Sequence, residues 1–589
     1  MKNHTLPGRS NMVSQLFFYL LPVQVAIVAM GSINSIVDGF VAGRFIGVDS
    51  VAVIGLFYTM LRVLEALSGI LLGGVTVLSG RFLGAGKMDE TRGICSLGLT
   101  CALIIGAVLS FFCLFFPDNV STLLGADENL LSALSTYTRG FAIGIIPAML
   151  TPLLSATLLL ERQGNLANIG VTVMIITNVS LDFLFVVPLK LGLWGLAMAT
   201  ALGNWAYFLI MATYYLRGKA ELKLSPRYAS WRKLWELLRI GFPNALLVIC
   251  LAARSLVVNI IVLICGGLEG LTSLSAFNML SGLVVAFALG AGAVIRMLSS
   301  VFLGEENRED LGALMKTVFT KAMAMVAAIG ILVVVCSPLL SRIFFEPDMI
   351  EFDLTKLLFV IYGFCTPLVL ACVAMSNYCQ AIGHQRFVLL TALADGFFSF
   401  VIPALLLARF FGVLGVWLSF PIGLLLTWLL CVFHVRFHLK HWPRSMGEWL
   451  MLPEEFGSAE HLVLSISNME EVVQTSEKVQ SFCEAHGMSL KTAVYSGLCL
   501  EELARNIVQH GFAIDKKPHM VEVRVAFLPD GVLLRVKDNC KPFNPKEWYD
   551  FTSPNTTGEG VGIRLVYGLA KHIEYKNMLG LNVLSVIID

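Results

Sequence analysis

The segment RFLGAGK at residues 81–87 is matched by VFLGEEN at residues 301–307, and each segment ends a long apolar run. Pro22 and Pro243, which each stand early in an apolar run, have nearly the same spacing as these two segments. Further glycine pairs share that spacing: Gly164 with Gly383, Gly192 with Gly412, and Gly195 with Gly415. With 51 glycines in the chain one such pair means little, but several at one spacing indicate an internal repeat.

Hydropathy predicts that the repeat lies in a membrane. The chain of 589 residues is 57% hydrophobic and 14% charged, whereas ordinary soluble domains carry about 25% charged residues. Twelve apolar runs are long enough for the roughly 20 residues that cross a bilayer. They lie near residues 15–40, 51–79, 94–115, 135–159, 166–188, 192–216, 240–265, 271–299, 315–337, 354–381, 388–409 and 412–436.

Six runs in each repeat predict two lobes of identical topology, an N-lobe at 10–218 and a C-lobe at 232–438, within a transporter domain at 1–440. Two such halves are related by an axis along the membrane normal and enclose a binding cavity. A helical anchor for a soluble domain, the plainer alternative, would explain neither twelve runs nor a repeat. The first run begins near Met12 without a small-residue cleavage site, which predicts a spanning helix and not a removed signal.

Loop charges predict the orientation. Lysine and arginine cluster in the loops after the second and sixth runs and after the last, whereas residues 116–129 and 266–270 have none. The positive-inside rule therefore places both termini in the cytoplasm, although Arg44, Lys190, Arg342 and Arg409 fall on the other side. The net charge of +1 gives no sign of nucleic-acid binding, and the 13 cysteines include no CxxC pair that would indicate zinc or a disulfide framework.

Several motifs of the membrane half resemble one transporter family. They are Pro22, SIVDGFVAGRFIG at residues 35–47, RFLGAGK, ERQGN at residues 161–165, and Asn178-x-x-x-Asp182. Together they resemble the multidrug and toxic compound extrusion family, whose twelve-helix antiporters consist of two six-helix lobes, across roughly residues 10–438. The resemblance implies a multi-pass protein of the bacterial plasma membrane that exports small amphiphilic or organic compounds in exchange for H⁺ or Na⁺. It also implies that Asp38, Asn178 and Asp182 bind the coupling ion.

Physical reasoning points to the same three residues. A carboxylate deep in a spanning helix costs about 2.5–3.5 kcal/mol on insertion scales, so it is usually kept for function. Asn178 and Asp182 are four apart and share a helix face. The repeat equivalent of Asp38 is Asn259, so the acidic chemistry is concentrated in the N-lobe. A purely structural hydrogen-bond network is the alternative.

The tail at 461–589, which follows a linker at 441–460, alternates strand and helix patterns and carries three motifs. Glu502-x-x-x-Asn506-x-x-x-His510 lies on a predicted helix, Asp538 ends a predicted strand, and Gly558-x-Gly560-x-Gly562 precedes another helix. As an ordered set they resemble the GHKL ATP-binding fold, an α/β sandwich, and most closely its anti-sigma-factor serine kinase branch.

That resemblance implies ATP and Mg²⁺ as cofactors and a role for each motif. Asn506 would hold Mg²⁺, Asp538 would accept a hydrogen bond from adenine, and Glu502 would act as general base. The three glycines, Gly558, Gly560 and Gly562, would admit the phosphates. Cys540 stands where the family usually has glycine, so its side chain would narrow the adenine pocket.

Three functions are compatible with these two halves. The first is an ion-coupled exporter with an ATP-binding, serine-kinase-like regulatory domain; ATP does not drive transport in it, because the tail has no GxxxxGK[ST] motif. The second is a membrane-bound anti-sigma-like serine kinase that phosphorylates a serine-bearing partner and uses the transporter half as a ligand sensor. The third is a flippase for a lipid-linked substrate.

Overall fold

The computed structural model describes residues 7–161, 163–218, 220–453, 456, 461–513, 519–528, 531–551, 561–578 and 581–589. Within these ranges, eleven helical segments are long and apolar enough to cross a membrane. One of them, Trp231–Gly304, is 74 residues long and bends at Gly267, where φ is 59° and ψ is −156°. The predicted runs at 240–265 and 271–299 lie on either side of this bend, so the segment supplies two crossings and the bundle has twelve.

The N-lobe contains eight helices, some of which are extended or joined by short turns of wider or tighter helix. A π-helical turn at Ala42–Ile46 extends α1, and a 3₁₀ turn at Ala142–Gly144 joins α5 to α6. The helices are α1 (Pro7–Val41), α2 (Val48–Gly84), α3 (Met88–Phe115), α4 (Pro117–Leu123), α5 (Glu128–Phe141), α6 (Ile145–Leu160), α7 (Gly164–Val186) and α8 (Gly192–Leu216).

The C-lobe is built in the same way. Its first helix carries two crossings, and π-helical turns at Val318–Ala322 and Ala394–Phe398 join α10 to α11 and α13 to α14. The helices are α9 (Leu234–Gly304), α10 (Arg308–Thr317), α11 (Met323–Arg342), α12 (Ile350–Ile382), α13 (Gln385–Leu393), α14 (Ser399–Phe411) and α15 (Val413–Leu439).

The repeat is visible where α2 meets the end of α9. A Cβ atom on Gly84 would overlap the carbonyl oxygen of Val301, and one on Gly304 would overlap that of Arg81. The repeat spacing relates Arg81 to Val301 and Gly84 to Gly304, so the contact has the two-fold symmetry that the repeat predicts. Only glycine lets the backbones approach so closely. We call this contact, between residues 80–84 and 300–304, the glycine crossing, and the end of the bundle where it lies the domain side.

The C-terminal domain is a five-stranded antiparallel sheet in the order β1-β2-β3-β5-β4, with helices packed on one face. Alternate residues of the central strands, such as Val523, Leu534 and Val586, are buried beneath α16, α17 and α19. The elements are β1 (His461–Ile466), α16 (Met469–Ala485), α17 (Leu490–Asn506), β2 (Val521–Leu528), β3 (Gly531–Asp538), α18 (Pro545–Phe551), α19 (Val561–Leu569), β4 (His572–Met578) and β5 (Leu581–Ile588).

The opposite face of this sheet packs on the domain side of the bundle. The strand register aligns Glu522, Lys537, Val583 and Lys576 in one row across β2, β3, β5 and β4. All four side chains are buried although no helix in the described part of the domain covers them, and Val583 belongs to the apolar core of the transporter. We call these four residues the docking row.

The described part of the predicted linker packs against the C-lobe. Leu450 is buried, and its carbonyl oxygen accepts a hydrogen bond from the Tyr378 hydroxyl at 2.7 Å. Trp449 stacks on Trp428 of α15 at 5.9 Å between ring centroids. The linker therefore holds the C-terminal domain close to the C-lobe.

Candidate ion-coupling and nucleotide sites

The predicted ion-binding residues come together inside the N-lobe. Asp38 lies near the end of α1, and Asn178 and Asp182 occupy one buried face of α7. The Asn178 Nδ2 donates a hydrogen bond to Thr200 Oγ1 at 3.2 Å, and Thr200 Oγ1 donates to Asp38 Oδ2 at 3.5 Å. The carboxyl groups of Asp38 and Asp182 lie close enough to interact electrostatically. Two acids, an amide and a hydroxyl thus form one polar cluster.

Several oxygens of this cluster have no partner among the residues that the structure describes. They are Asp38 Oδ1, both carboxyl oxygens of Asp182, Asn178 Oδ1, and Oδ1 of Asn34, one turn before Asp38 on α1. Buried acceptors are normally hydrogen-bonded, so this concentration of unpaired oxygens requires an explanation. A proton between the carboxyl groups or a hard cation, which prefers oxygen ligands, would satisfy them. The residues therefore fit the cation that the family resemblance implies.

Sequence reasoning missed two members of the cluster. Asn34 precedes Asp38 by four residues, so helical spacing could have found it. Thr200 comes from α8, which contacts α7 only in the folded bundle, and no sequence pattern singles it out.

The buried cations of the C-lobe are engaged within that lobe. Arg296 donates from Nη1 to Asn377 Oδ1 at 3.1 Å and to Gln380 Oε1 at 3.4 Å. Arg254 donates to the carbonyl oxygen of Asp395 at 2.9 Å and lies over a phenylalanine ring. Neither arginine hydrogen-bonds to the acids of the N-lobe in the described part of the chain.

In the C-terminal domain, α17 carries Glu502 and Asn506 and packs against α19 and β3. A Cβ atom on Gly562, the second residue of α19, would overlap the Glu502 carboxylate, so the glycine allows this close approach. The Asn506 Nδ2 is buried and, among the described residues, unpaired; this is a donor that an anionic ligand would satisfy. Directly after Asn506 the helix widens into a π-helical turn, Ile507–Gly511, a feature frequent at functional sites.

The predicted adenine-binding residue, Asp538, ends β3 and is 5% exposed. Its Oδ1 accepts hydrogen bonds from Asn582 Nδ2 at 2.7 Å and from the Cys540 backbone amide at 2.9 Å. Burial raises the pKa of Asp538, against the opposing effect of these two hydrogen bonds. Asn582, on β5, is thus a positioning residue for Asp538 that sequence reasoning missed.

Two other expectations for this site concern Cys540 and the glycine motif. The Cys540 side chain is buried, and its Sγ lies close to Gly511 at the end of the π-helical turn. It therefore occupies space next to the helix that carries Asn506. Gly558 and Gly560 lie outside the described residues, and Gly562 alone of the three is placed.

The two-lobe bundle with its intramembrane acids defines the chain as a membrane transporter, here with a docked domain of the ATP-binding type. The MatE family model matches residues 25–185 and 243–404, once in each lobe, and the chain belongs to this multidrug and toxic compound extrusion family. A second model, described as a histidine kinase-like ATPase domain, matches residues 467–588. These matches confirm the transporter family and the ATP-binding fold of the tail, whereas the serine kinase branch stays a prediction.

Curated relatives match the membrane half. The multidrug export protein MepA of Staphylococcus haemolyticus is 24% identical over 445 residues, which cover 73% of this chain and 93% of the relative. The probable multidrug resistance protein YoeA of Bacillus subtilis is 25% identical over 251 residues, covering 41% of this chain and 54% of the relative.

Solved structures show the same fold. The outward-facing conformation of a multidrug resistance MATE family transporter superimposes with a TM-score of 0.66 at 20% identity, covering 71% of this chain and 94% of that one. A MATE structure in complex with MaD3S gives a TM-score of 0.67 at 20% identity, covering 73% and 96%.

Proposed function

We propose that this protein exports small organic molecules in exchange for H⁺ or Na⁺, with the domain side in the cytoplasm. The observation that carries the proposal is the buried pair of Asp38 and Asp182 with its unpaired oxygens. The names of the relatives, multidrug export and multidrug resistance proteins, support small organic molecules as the substrate class.

The acid pair supplies the coupling. Two adjacent buried carboxyl groups repel when both are ionised, so the pair takes up one proton or one cation. Uptake makes the N-lobe cluster less negative by one charge and changes the affinity of the cavity for a charged substrate. Linkage requires that the substrate change the ion affinity by the same factor, which is the thermodynamic basis of exchange.

Transport by the purified full-length protein in proteoliposomes tests this proposal. Asp38→Asn, which keeps the shape and removes the charge, should abolish gradient-driven export of a fluorescent amphiphilic cation. Glu65→Gln is a matched control, because Glu65 is a half-exposed acid that pairs with Arg62 on the same helix. Export by Asp38→Asn at the wild-type rate would refute the proposal. Separate collapse of the H⁺ and Na⁺ gradients identifies the coupling ion.

We further propose that the C-terminal domain regulates export by holding the two lobes together on the domain side. On the C-lobe, Lys537 Nζ lies 2.6 Å from Glu305 Oε2 and 3.9 Å from Asp310 Oδ2. Arg524 donates to the Glu305 carbonyl oxygen at 3.1 Å. On the N-lobe, Lys576 Nζ donates to the Gly86 carbonyl oxygen at 3.0 Å.

These contacts flank the glycine crossing. Gly86 and Glu305 stand two and one residues beyond Gly84 and Gly304, so one sheet bridges the ends of the pseudo-symmetric helices. A cavity opens to the domain side only when these helices separate, and the bridge opposes that movement. The predicted nucleotide contact Asp538 directly follows Lys537 on β3 and points to the opposite face, so nucleotide binding and docking share one strand.

The kinase-like alternative rests on Glu502 and Asn506. The docking row and the helices that carry these residues lie on opposite faces of the sheet. Nucleotide binding by the full-length protein, with Asn506→Ala as control, is the first test. ATP-dependent phosphorylation of a serine-bearing protein that persists in Asp38→Asn but fails in Glu502→Ala would favour the kinase; flipping of a lipid-linked substrate would favour the flippase.

A further inference from the structure

A cluster of thiol and imidazole groups lies at the domain side of the C-lobe. The Sγ of Cys379 and one ring nitrogen each of His384 and His434 all lie within 4.8 Å of one another. The Nδ1 of His384 is 3.0 Å from Nε2 of His434. A third imidazole, His438, follows His434 by one turn of α15, and its ring centroid is 5.0 Å from that of His384. Cys379 and His384 stand at the end of α12 and in the turn that follows it, whereas His434 and His438 come from α15, which is distant in sequence.

Local structure fixes these side chains. Cys379 is fully buried in the last turn of α12, and Gly383 ends the helix with a φ of 93°. The chain then turns back, so that the His384 amide donates to the Cys379 carbonyl oxygen at 2.9 Å. The His434 ring stacks on Phe387 with centroids 3.8 Å apart and planes within 8°. The cluster is therefore held in place by a helix cap and an aromatic stack.

We propose that Cys379, His384 and His434, with His438 as the fourth ligand, bind a borderline-soft divalent metal ion such as Zn²⁺. Zinc takes thiolate and imidazole ligands in tetrahedral geometry, with ligand atoms roughly 3.3–3.8 Å apart. The ligand atoms of Cys379, His384 and His434 lie within 4.8 Å of one another, so these three reach this geometry with small side-chain adjustments. The sequence does not predict this site, because its ligands are spread over residues 379–438 and include no CxxC pair.

The repeat supplies an internal comparison. At the spacing that relates Gly383 to Gly164, the N-lobe equivalents of Cys379, His384 and His434 are Leu160, Asn165 and Tyr215. The same fold is thus built in the N-lobe without this ligand set, so packing alone does not require the cluster.

The site is placed to affect the lobe contact. The turn between Cys379 and His384 includes Ala381, whose carbonyl oxygen accepts hydrogen bonds from Arg81 Nη2 at 2.6 Å and Nε at 3.2 Å. Arg81 belongs to the N-lobe and to the glycine crossing. A metal ion that holds both ends of this turn would favour the closed domain side and slow export. This effect depends on the proposed transport cycle, whereas metal binding itself does not.

Metal binding by the full-length protein in detergent is the test. After removal of metal by a chelator, one Zn²⁺ per chain should rebind and survive gel filtration. Co²⁺ in its place should give the visible bands of a tetrahedral site and a thiolate charge-transfer band. His384→Asn, which installs the residue of the N-lobe equivalent and so preserves the fold, should weaken binding at least as much as the roughly 10–100-fold caused by loss of an outer-shell partner.

Two variants separate this site from surface binding. Cys379→Ser should remove the thiolate band and keep the tetrahedral bands. His441→Ala, at an exposed histidine just beyond α15, should leave both Zn²⁺ stoichiometry and the Co²⁺ spectrum unchanged. Wild-type binding by His384→Asn, or an equal loss in His441→Ala, would overturn the proposal. Failure of transport tests with intact metal binding would contradict the exporter and leave the metal site standing.

Discussion

The ion pair between Lys537 and Glu305 is the most informative place to perturb the link between the two domains. Both side chains are almost completely buried, at 6% and 5% exposure, and Asp310 lies beside them at 3%. Burial alone would lower the pKa of Lys537, but the carboxylates of Glu305, Asp310 and Glu522 outweigh it and raise that pKa. Lys537→Ala therefore removes the ammonium group that faces the buried carboxylates of Glu305 and Asp310.

The size of the effect follows from burial. Removing one partner of a buried ion pair costs about 3–5 kcal/mol, because the remaining charge is uncompensated. At about 1.4 kcal/mol for each factor of ten, the equilibrium between docked and undocked domains should shift by roughly 10²–10⁴-fold. Replacing both partners removes the isolated charge, so Lys537→Met with Glu305→Gln should dock better than Lys537→Ala alone.

Hydrogen exchange of the full-length protein in lipid nanodiscs measures this shift. In Lys537→Ala, the segments around residues 84–88 and 304–307 and the strands β3 and β5 should lose protection together. Lys571→Ala is the control, because Lys571 pairs with Asp589 at 50% and 61% exposure and contributes little. If Lys537→Ala exchanges like wild type, or the double variant is worse than the single one, the ion pair does not hold the domain.

Other predictions concern the glycine crossing and the nucleotide site. Gly84→Ala places a methyl group against the carbonyl oxygen of Val301, so the lobes should close poorly on the domain side and export should fall at normal expression. ATP affinity should fall as the pH is lowered, and at a higher pH than for an ordinary aspartate, because burial raises the pKa of Asp538 and protonation weakens it as the acceptor of the adenine hydrogen bond. Asn582→Leu, measured by ATP titration, should weaken binding by about 1–3 kcal/mol through loss of the group that holds Asp538.

Each of these has its own control. Gly55 lies on the same helix as Gly84, and a Cβ atom there would meet nothing within 4 Å, so Gly55→Ala should export normally. If both variants lost export equally, the loss would come from a change in α2 itself and not from the contact with α9. Asp538→Asn should remove the acid dependence of ATP binding, and a persistent dependence would assign it to another group. Unchanged affinity in Asn582→Leu would show that Asp538 does not need that hydrogen bond.

Helical periodicity explains why much of the membrane half could be predicted. The backbones of α2 and α9 approach so closely at Gly84 and Gly304 that both positions require glycine. The repeat can therefore be recognised in the sequence from glycines at a constant spacing. Asn178 and Asp182 are four residues apart and therefore lie on one face of α7. They meet Asp38 because α7 packs on α1. The partner Thr200 was not predictable, since it depends on how α8 is rotated against α7.

Contacts between distant segments could not be predicted. Strand alternation places Lys537 and Asp538 on opposite faces of β3, but sequence offers no sign that one face docks on a transporter. Lys576 and Gly86 are far apart in the sequence and belong to different domains, so their contact forms only when the two domains assemble. In the same way, Cys379 and His434 meet only because α12 packs beside α15.

The placement of two adjacent residues on β3 constrains any account of regulation by nucleotide. Asp538 faces the proposed adenine site and Lys537 faces the transporter, so both interactions act on one strand. A nucleotide can shift docking only by the difference between its affinities for the docked and undocked states. Reciprocity then requires that undocking change ATP affinity by the same factor. Lys537→Ala, which does not touch the nucleotide face, must therefore change ATP affinity if ATP controls docking, and must leave it unchanged if the domain is only a structural clamp.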